Sequence, residues 1–478
     1  MPAITYVYPN SKHEAGGSEF CIAIVDGVKS LVIRNKSENY SKFKGVEKKV
    51  DGITVKICKM NRNNAKALRG LFPFTKPTNH AGKPLTIGLG DRLGLASPGH
   101  IRLIRDMDVF PVLAQQSVRE LVLTDRTFAD VLDAASWAVF QEGYTKGWGA
   151  DGDHLKHEEE VETALNCGYT MITLDCSDMI RRDIDSISAA RIDQFYAKLP
   201  EPDHTVYETV YMGKSFKIDG AEIRFTQEEL KKIVMTYYPA VDHIFHIYHF
   251  FIASNASPVD FEVSIDETQS ATSPAAHFFI ANELKRLRVE CVSIAPRFCG
   301  EFQKGIDYKG DVGQFEKEFI IHDKIAKHFG YKLSIHSGSD KFRVFPIIRK
   351  ESGGIYHLKT AGTNWLEALR TIAEKDPAFF REIVKFSLAN LEKAKFFYRT
   401  TENTANIPDP DKLNDDELPG LLDNEDARQV LHITYGQVLS AKDVDGLPMF
   451  RDGIYEDLLR YEEEYYNALI KHIGLHLL

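Results

Sequence analysis

The chain has 478 residues, too many for one small domain; the length fits one large barrel with additions, or two to three domains. Apolar residues make up 43% and charged residues 27%, the balance of a globular protein with a sizeable core. With 59 Lys plus Arg against 69 Asp plus Glu, the net charge of −10 argues against a nucleic-acid partner or an anionic membrane surface, though a few local Arg and Lys can still hold a small anion.

The opening MPAITYVYPNSKHEAGG lacks a basic stretch followed by an apolar run, so no signal peptide is expected there. No run of about 18 apolar residues suits a membrane span, and none of the six cysteines forms a C-x-x-C pair. Reduced thiols and a cytoplasmic location are therefore the expectation.

Residues 1–80 form a β-rich element: FCIAIVDG, KSLVIRN and GITVKICKM are short β-branched runs bounded by Gly and Asp. From Pro84 short apolar runs alternate with longer helical patterns. The predicted strands end in PLTIGLGDR, DVFPVLAQQS, GWGADGDHL and YTMITLDCSD, then, after an insertion over about 179–258, in VDFEVSIDETQS, VECVSIAPRFCGE, YKLSIHSGSD and GIYHLKTAGT. Strand–helix alternation with nearly continuous apolar strands means a parallel sheet covered on its faces. Eight units in roughly 300 residues fit a (β/α)₈ TIM barrel over residues 81–385, with an open doubly wound sheet as the alternative. A helical extension occupies 386–478 and contains a polar Pro/Asp-rich loop, TENTANIPDPDKLNDDELPGLLDNEDARQ.

Polar and charged residues collect where the predicted strands end, and in a barrel those ends form one rim, the usual place of an active site. Asp153-His154 is the sharpest feature: an imidazole there can bind a metal while the adjacent carboxylate moves a proton. The bland alternative makes Asp153 the cap of the helix that follows. His336, at the end of LSIHSGSD, is a second ligand candidate. Glu301, just past the FCG turn, could complete a His/Glu/His set. Glu267 in SIDETQS could be an acid or base opposite Asp153, or another helix cap. Arg92 and Arg297 are natural carboxylate clamps because a guanidinium offers two parallel hydrogen bonds. Gln115, Lys156, Ser337, Asp340 and His357 (with Lys359 beside it) are further strand-end candidates for substrate contact.

Other signals are weaker. GLGDRLG follows a strand, but its third glycine falls one residue late for a dinucleotide loop, and Asp91 and Arg92 suit a pyrophosphate poorly. His243, His246 and His249 are spaced by three among aromatic residues, a pattern that is more often helix packing than a metal stripe. Glu158, Glu159 and Glu160 suit a helix's first turn.

The segment DGDHLKHEEEVETALNCGYTMITLDCSD resembles class II metal-dependent aldolases, in which an Asp-His pair ends one strand and a D-x-S strand follows. The whole chain is more similar still to the tagaturonate epimerase family, through GLGDRLGLASPGH, GADGDH, IDETQS, IAPRFCGEFQKGIDYKGD, LSIHSGSDKF and YHLKTAGTNW. The resemblance implies interconversion of tagaturonate and fructuronate in hexuronate catabolism. It implies Asp153 and Glu267 as the acid/base pair, and His154, Glu301 and His336 as ligands of one divalent cation (Zn, Mn, Ni, Co or Fe). The implied partner is a small sugar acid, and the oligomeric state stays open. An aldolase or isomerase of the same metal class on another sugar, and a non-catalytic sugar-binding barrel, are the rival readings.

Overall fold

The computed structural model describes every residue except Met1, Pro2, Asp51, Ala81, Glu267, Gln269, Arg399 and Leu478; the side chain of Asp185 is also left aside. The expected barrel is present. Its strands are β1 (Leu85–Leu89), β2 (Phe110–Ser117), β3 (Gly149–Leu155), β4 (Met171–Asp175), β5 (Asp260–Ile265), β6 (Ser293–Pro296), β7 (Lys332–Ile335) and β8 (Tyr356–Thr360). They close in sequential order, each parallel to both neighbours. Every strand residue but Leu85 and His154 is buried, as a sheet covered on both faces requires.

Strand geometry sends alternate side chains inward. The outward set, such as Ile87, Leu174, Val263, Leu333 and Leu358, packs under the surrounding helices in the main hydrophobic core. The inward set is polar: Asp151 and Asp153 on β3, Thr173 and Asp175 on β4, Asp260, Glu262 and Ser264 on β5, Lys332 and Ser334 on β7, His357 and Lys359 on β8. Barrels are usually filled with branched apolar residues, and burying charge demands a partner for each group. Here the partners are in place from the bottom upward. Lys332 Nζ donates to Thr86 Oγ1 at 3.0 Å and His357 Nδ1 meets the same hydroxyl at 2.7 Å. Glu262 accepts from Ser293 Oγ and faces Lys359 Nζ at 2.9 Å. A register shift between Val112 and Ala114 turns Gln115 inward beside Asp151. Gly88 makes room for it, since a Cβ there would lie 1.5 Å from Gln115 Oε1.

Before the barrel, six strands between Ile4 and Lys59 form an antiparallel sheet. The turn Asp26-Gly27 has positive φ at both residues (50° and 80°), the backbone of a tight hairpin. Phe20, Ile22, Leu31 and Ile33 of this sheet pack on the helix Arg62–Leu71 and on Trp137 and Phe140 of the barrel helix Phe128–Glu142. Between β4 and β5 lie two helices (Ala189–Tyr196 and Glu201–Val210), a hairpin and the long helix Gln227–Ile247. After β8, helices from Thr363 to Gly474 build a second large core around Trp365, Leu366, Leu369, Tyr435 and Tyr465. No helix among the described residues is long and apolar enough to cross a membrane, and all six cysteines are unpaired.

Candidate active site

A cavity of about 850 Å³ opens at the carboxyl ends of the strands. Its floor holds Asp153, His154, Asp266, His336 and Lys359; Gln115, Arg297 and Ser337 stand on its walls. The region after the barrel closes one side through Phe396, Phe397 and Tyr398, just past the short helix Leu391–Ala394, and His432 of the helix Glu425–Ile433.

The floor is built around Lys359. Its Nζ donates to Asp151 Oδ2 at 2.8 Å, Asp153 Oδ1 at 2.7 Å and Thr173 Oγ1 at 2.5 Å, and Glu262 Oε1 lies 2.9 Å away. Asp153 is therefore a buried carboxylate rather than a helix cap; the following helix is capped by Glu160, which accepts from the His157 and Lys156 amides. Burial alone would raise the Asp153 pKa, but Lys359, His154 and His336 outweigh it and hold the carboxyl well below the usual range. Asp151 goes the other way: burial, with Asp153 and Glu262 nearby, lifts it to about 6 against the pull of Lys359.

Next to this network the rings of His154 and His336 stand 4.7 Å apart between centroids, inclined at 70°. His336 Nε2 is 2.7 Å from Glu262 Oε1, which fixes the ring, and its Nδ1 lies 3.3 Å from Asp266 Oδ2. His154 Nδ1 lies 3.7 Å from Asp175 Oδ2. The Nδ1 atoms of both histidines are buried without a hydrogen bond. One donor atom each from His154, Asp266 and His336 lies within 4.8 Å of the others. Two imidazoles and a carboxylate are the ligand chemistry of a divalent-cation site. A carboxylate behind a ligating imidazole, as Glu262 is behind His336, is the usual support. The electrostatics agree. Burial disfavours charge on His154, yet Asp153, Asp175 and Asp266 push it up to about 10; His336 is also raised, chiefly by Asp266 against burial and Lys359. The site thus favours positive charge where a cation would bind. His154 (φ 52°) and Ser337 (φ 49°) have left-handed backbone, a strain that gathers at functional sites.

The other residues singled out in the sequence fall as follows. Arg297 lines the cavity, but Glu301 does not join the imidazoles. The tight turn at Gly300 and the backbone bridge between Glu301 and Lys309 send its carboxylate outward, half exposed, to Arg297 at 3.7 Å. Asp266 stands in the place expected for Glu301. Glu267 lies outside the described residues. Arg92 is no substrate clamp: it is buried, donates to Glu120 at 2.9 Å and lies over the Tyr435 ring. His357 points inward but sits one strand step below Lys359, bonded to Thr86, and does not reach the cavity. Lys156 stands behind His154, with its Nζ 2.9 Å from Asp178 Oδ1 and 3.8 Å from Asp175. Asp340 is sequestered by Arg428 and His472. The weaker signals resolve as packing and capping. Asp91 accepts from four backbone amides, Leu93, Gly94, Ala96 and Ser97, where a dinucleotide loop would hold phosphate. His243, His246 and His249 each bind a different partner: Lys156 O, Glu158 and Leu287 O.

Asp151, Asp175 and Asp266 were legible as polar strand ends but were given no role, and Glu262 was missed. The signal for three of them was available: in DFEVSIDE the period-two rule that points Glu262 inward also points Asp266 inward, and Asp151 precedes Asp153 by the same step.

Cations surround this negative floor. Arg119, Arg182, Arg297, Lys304 and Lys395 all line the cavity, and Lys304 Nζ donates to Ser337 Oγ at 2.8 Å. The cavity therefore joins a floor of carboxylates and imidazoles with walls that carry several cations.

Residues 8–478 match the family described as UxaE, tagaturonate epimerase. A tagaturonate/fructuronate epimerase of Thermotoga maritima is 39% identical over 475 residues, covering 98% of this chain and 96% of that one. Crystal structures of fructuronate-tagaturonate epimerase UxaE from Cohnella laeviribosi, native and glycerol-complexed, superpose with a TM-score of 0.96 at 46% identity, covering 99% of this chain and 96% of theirs. Sequence over nearly its whole length, and fold with it, place this chain in the tagaturonate epimerase family.

Proposed function

We propose that this chain is a sugar-acid epimerase that interconverts D-tagaturonate and D-fructuronate by inverting carbon 4, and that a divalent cation held by His154, Asp266 and His336 takes part. The observation that carries the reading is the convergence of those three donors beside Asp153, on the floor of a cation-lined cavity, in a chain of this family.

Carbon 4 is β to the ketone at carbon 2, so its hydrogen is not acidified by the carbonyl and simple enolisation cannot invert it. Cleavage and re-formation of the bond between carbons 3 and 4 can. Asp153 takes the proton of the carbon 4 hydroxyl; the carbon 3–carbon 4 bond breaks, its electron pair passing into the ketone to give an enolate, and carbon 4 becomes an aldehyde. The aldehyde turns its other face to the enolate, the bond re-forms, and Asp153 returns the proton to the oxygen on carbon 4. A divalent cation held by His154, Asp266 and His336 would supply Lewis-acid stabilisation of the charge that develops in this step. Lys359 keeps Asp153 charged and aimed. The cations at the mouth, Arg297 and Lys304 among them, hold the substrate carboxylate. The cavity walls keep both fragments in place for recombination. Glu267, adjacent to Asp266, remains the partner acid/base in this scheme, and Glu301, at the cavity wall, orients Arg297.

Incubating the protein with each keto acid separately tests the reading. The expected result is one equilibrium mixture approached from both sides. No interconversion, with cleavage of a phosphorylated sugar instead, would assign the site to an aldolase. A labelled three-carbon fragment exchanging into product supports bond cleavage; solvent hydrogen entering carbon 4 with no such exchange would replace it with two opposed bases.

A further inference from the structure

Asp340 lies four residues beyond His336, is buried, and has left-handed backbone (φ 63°). Three distant parts of the chain meet on it. His472 Nε2 donates to Oδ1 at 2.5 Å; Arg428 and Thr363 Oγ1 donate to Oδ2 at 3.0 and 3.3 Å. The Asp340 amide donates to His476 Nε2 at 2.9 Å, and His476 Nδ1 donates to His472 O at 3.2 Å. Both histidines belong to the last helix, Glu462–Gly474, and the turn that ends it.

The same cluster ties down a second loop. Arg428 Nε donates to Gly305 O at 2.7 Å. Lys341 Nζ donates to Gln303 O, Ile306 O and Ser339 O at 2.9, 2.6 and 2.7 Å. The two loops so joined carry Lys304, Ser337 and Ser339 to the cavity wall, where Lys304 bonds Ser337.

One donor atom each from Asp340, His472 and His476 lies within 4.8 Å of the others, which also suits a metal. Two observations oppose that use: both nitrogens of His476 are already bonded, and the Arg428 guanidinium occupies the same carboxylate. A cation there would break those bonds and face a fixed positive charge.

We propose that Asp340, His472 and His476 form a clasp by which the C-terminal helix positions the two substrate-binding loops, so that the chain's last helix sets substrate affinity without touching substrate. The affinity part rests on the epimerase reading; the loop-ordering part does not.

Hydrogen–deuterium exchange and steady-state kinetics on full-length protein test it. In His472→Ala, exchange over residues 300–308 and 337–342 should quicken about tenfold, the effect of one lost charge-assisted hydrogen bond, while β3 and β4 stay protected. KM should rise about tenfold with kcat within about twofold and metal content unchanged. His472→Gln, whose amide reaches the Nε2 position, should restore both. Glu463→Gln, which breaks the Arg102–Glu463 pair elsewhere on the same helix, should change neither. Should His472→Ala fail to fold, Asp340→Asn, nearly isosteric, gives the same comparison. Unchanged exchange in both loops, no rescue by Gln, or equal effects of His472→Ala and Glu463→Gln would overturn the clasp. Exchange needs no turnover, so a wild type inactive on both keto acids would end the epimerase reading and leave the loop result to stand or fall alone.

Discussion

At the scale of single residues, the account turns on Asp153. Lys359 holds it charged at 2.7 Å, and His154 follows it in the chain. Asn fills the same space and keeps a hydrogen-bonding oxygen but cannot take a proton. Asp153→Asn should therefore lower kcat by about 10³-fold, within the usual range for loss of a positioned acid/base, with fold and metal content retained. Steady-state kinetics with metal analysis checks this; a variant with wild-type kcat would remove Asp153 from the chemistry. The pair Asp153-His154, His336 and Arg297 could be found in the sequence because each ends a predicted strand next to small or polar residues. Asp266 escaped because the helix-cap pattern of DETQS drew notice to Glu267, while the inward alternation along β5 was not followed to its end. Glu301 misled because a carboxylate just after a strand looks like a ligand, and the Gly300 turn that swings it outward leaves no signal beyond a single glycine. Arg92 misled for the opposite reason: its partner Glu120 sits in the first turn of the helix Val118–Thr124, after the next strand, and is invisible as a neighbour.

At the scale of the element, the barrel interior is a stack of paired charges. Lys359→Met would remove the counter-charge that Asp151, Asp153 and Glu262 share, all three lying within reach of the missing Nζ. Breaking a buried pair in this way costs about 3–5 kcal/mol, which urea denaturation should register. Lys332, lower in the barrel, gives a pH signature. Burial lowers its pKa from 10.5 to about 8 against the pull of Asp260 and Glu262. Between those two values the unfolded chain binds the proton and the native chain does not, so this group makes stability rise with pH across that window. Lys332→Met should flatten that rise relative to wild type; an identical pH slope in the variant would mean the native lysine keeps its ordinary pKa. The eight strands themselves were legible, because buried parallel strands are short apolar runs with polar ends. The polar interior was not, because inward and outward faces differ only by register, and a shift such as that between Val112 and Ala114 resets it.

At the scale of the molecule, three of the packed cores divide the work: the barrel carries His154, Asp266 and His336, the first six strands buttress one barrel helix, and the C-terminal region closes one side of the cavity. Trp137→Ala, emptying the core between the N-terminal sheet and the helix Phe128–Glu142, should cost about 3–5 kcal/mol in stability with KM unchanged, since Trp137 does not line the cavity. The helical character of the C-terminal region was legible, but its place at the cavity was not: Phe396, Phe397 and His432 meet residues hundreds of positions away, and such contacts have no local periodicity. The central claim is that His154, Asp266 and His336 hold a divalent cation that the epimerisation needs. Metal analysis of the purified protein, with activity measured before chelation, after it, and after returning the metal, tests that claim most directly. The account predicts about one divalent ion per chain, near-complete loss of interconversion on chelation and recovery on re-addition, with His336→Ala unable to recover. Full activity in protein freed of metal would contradict it.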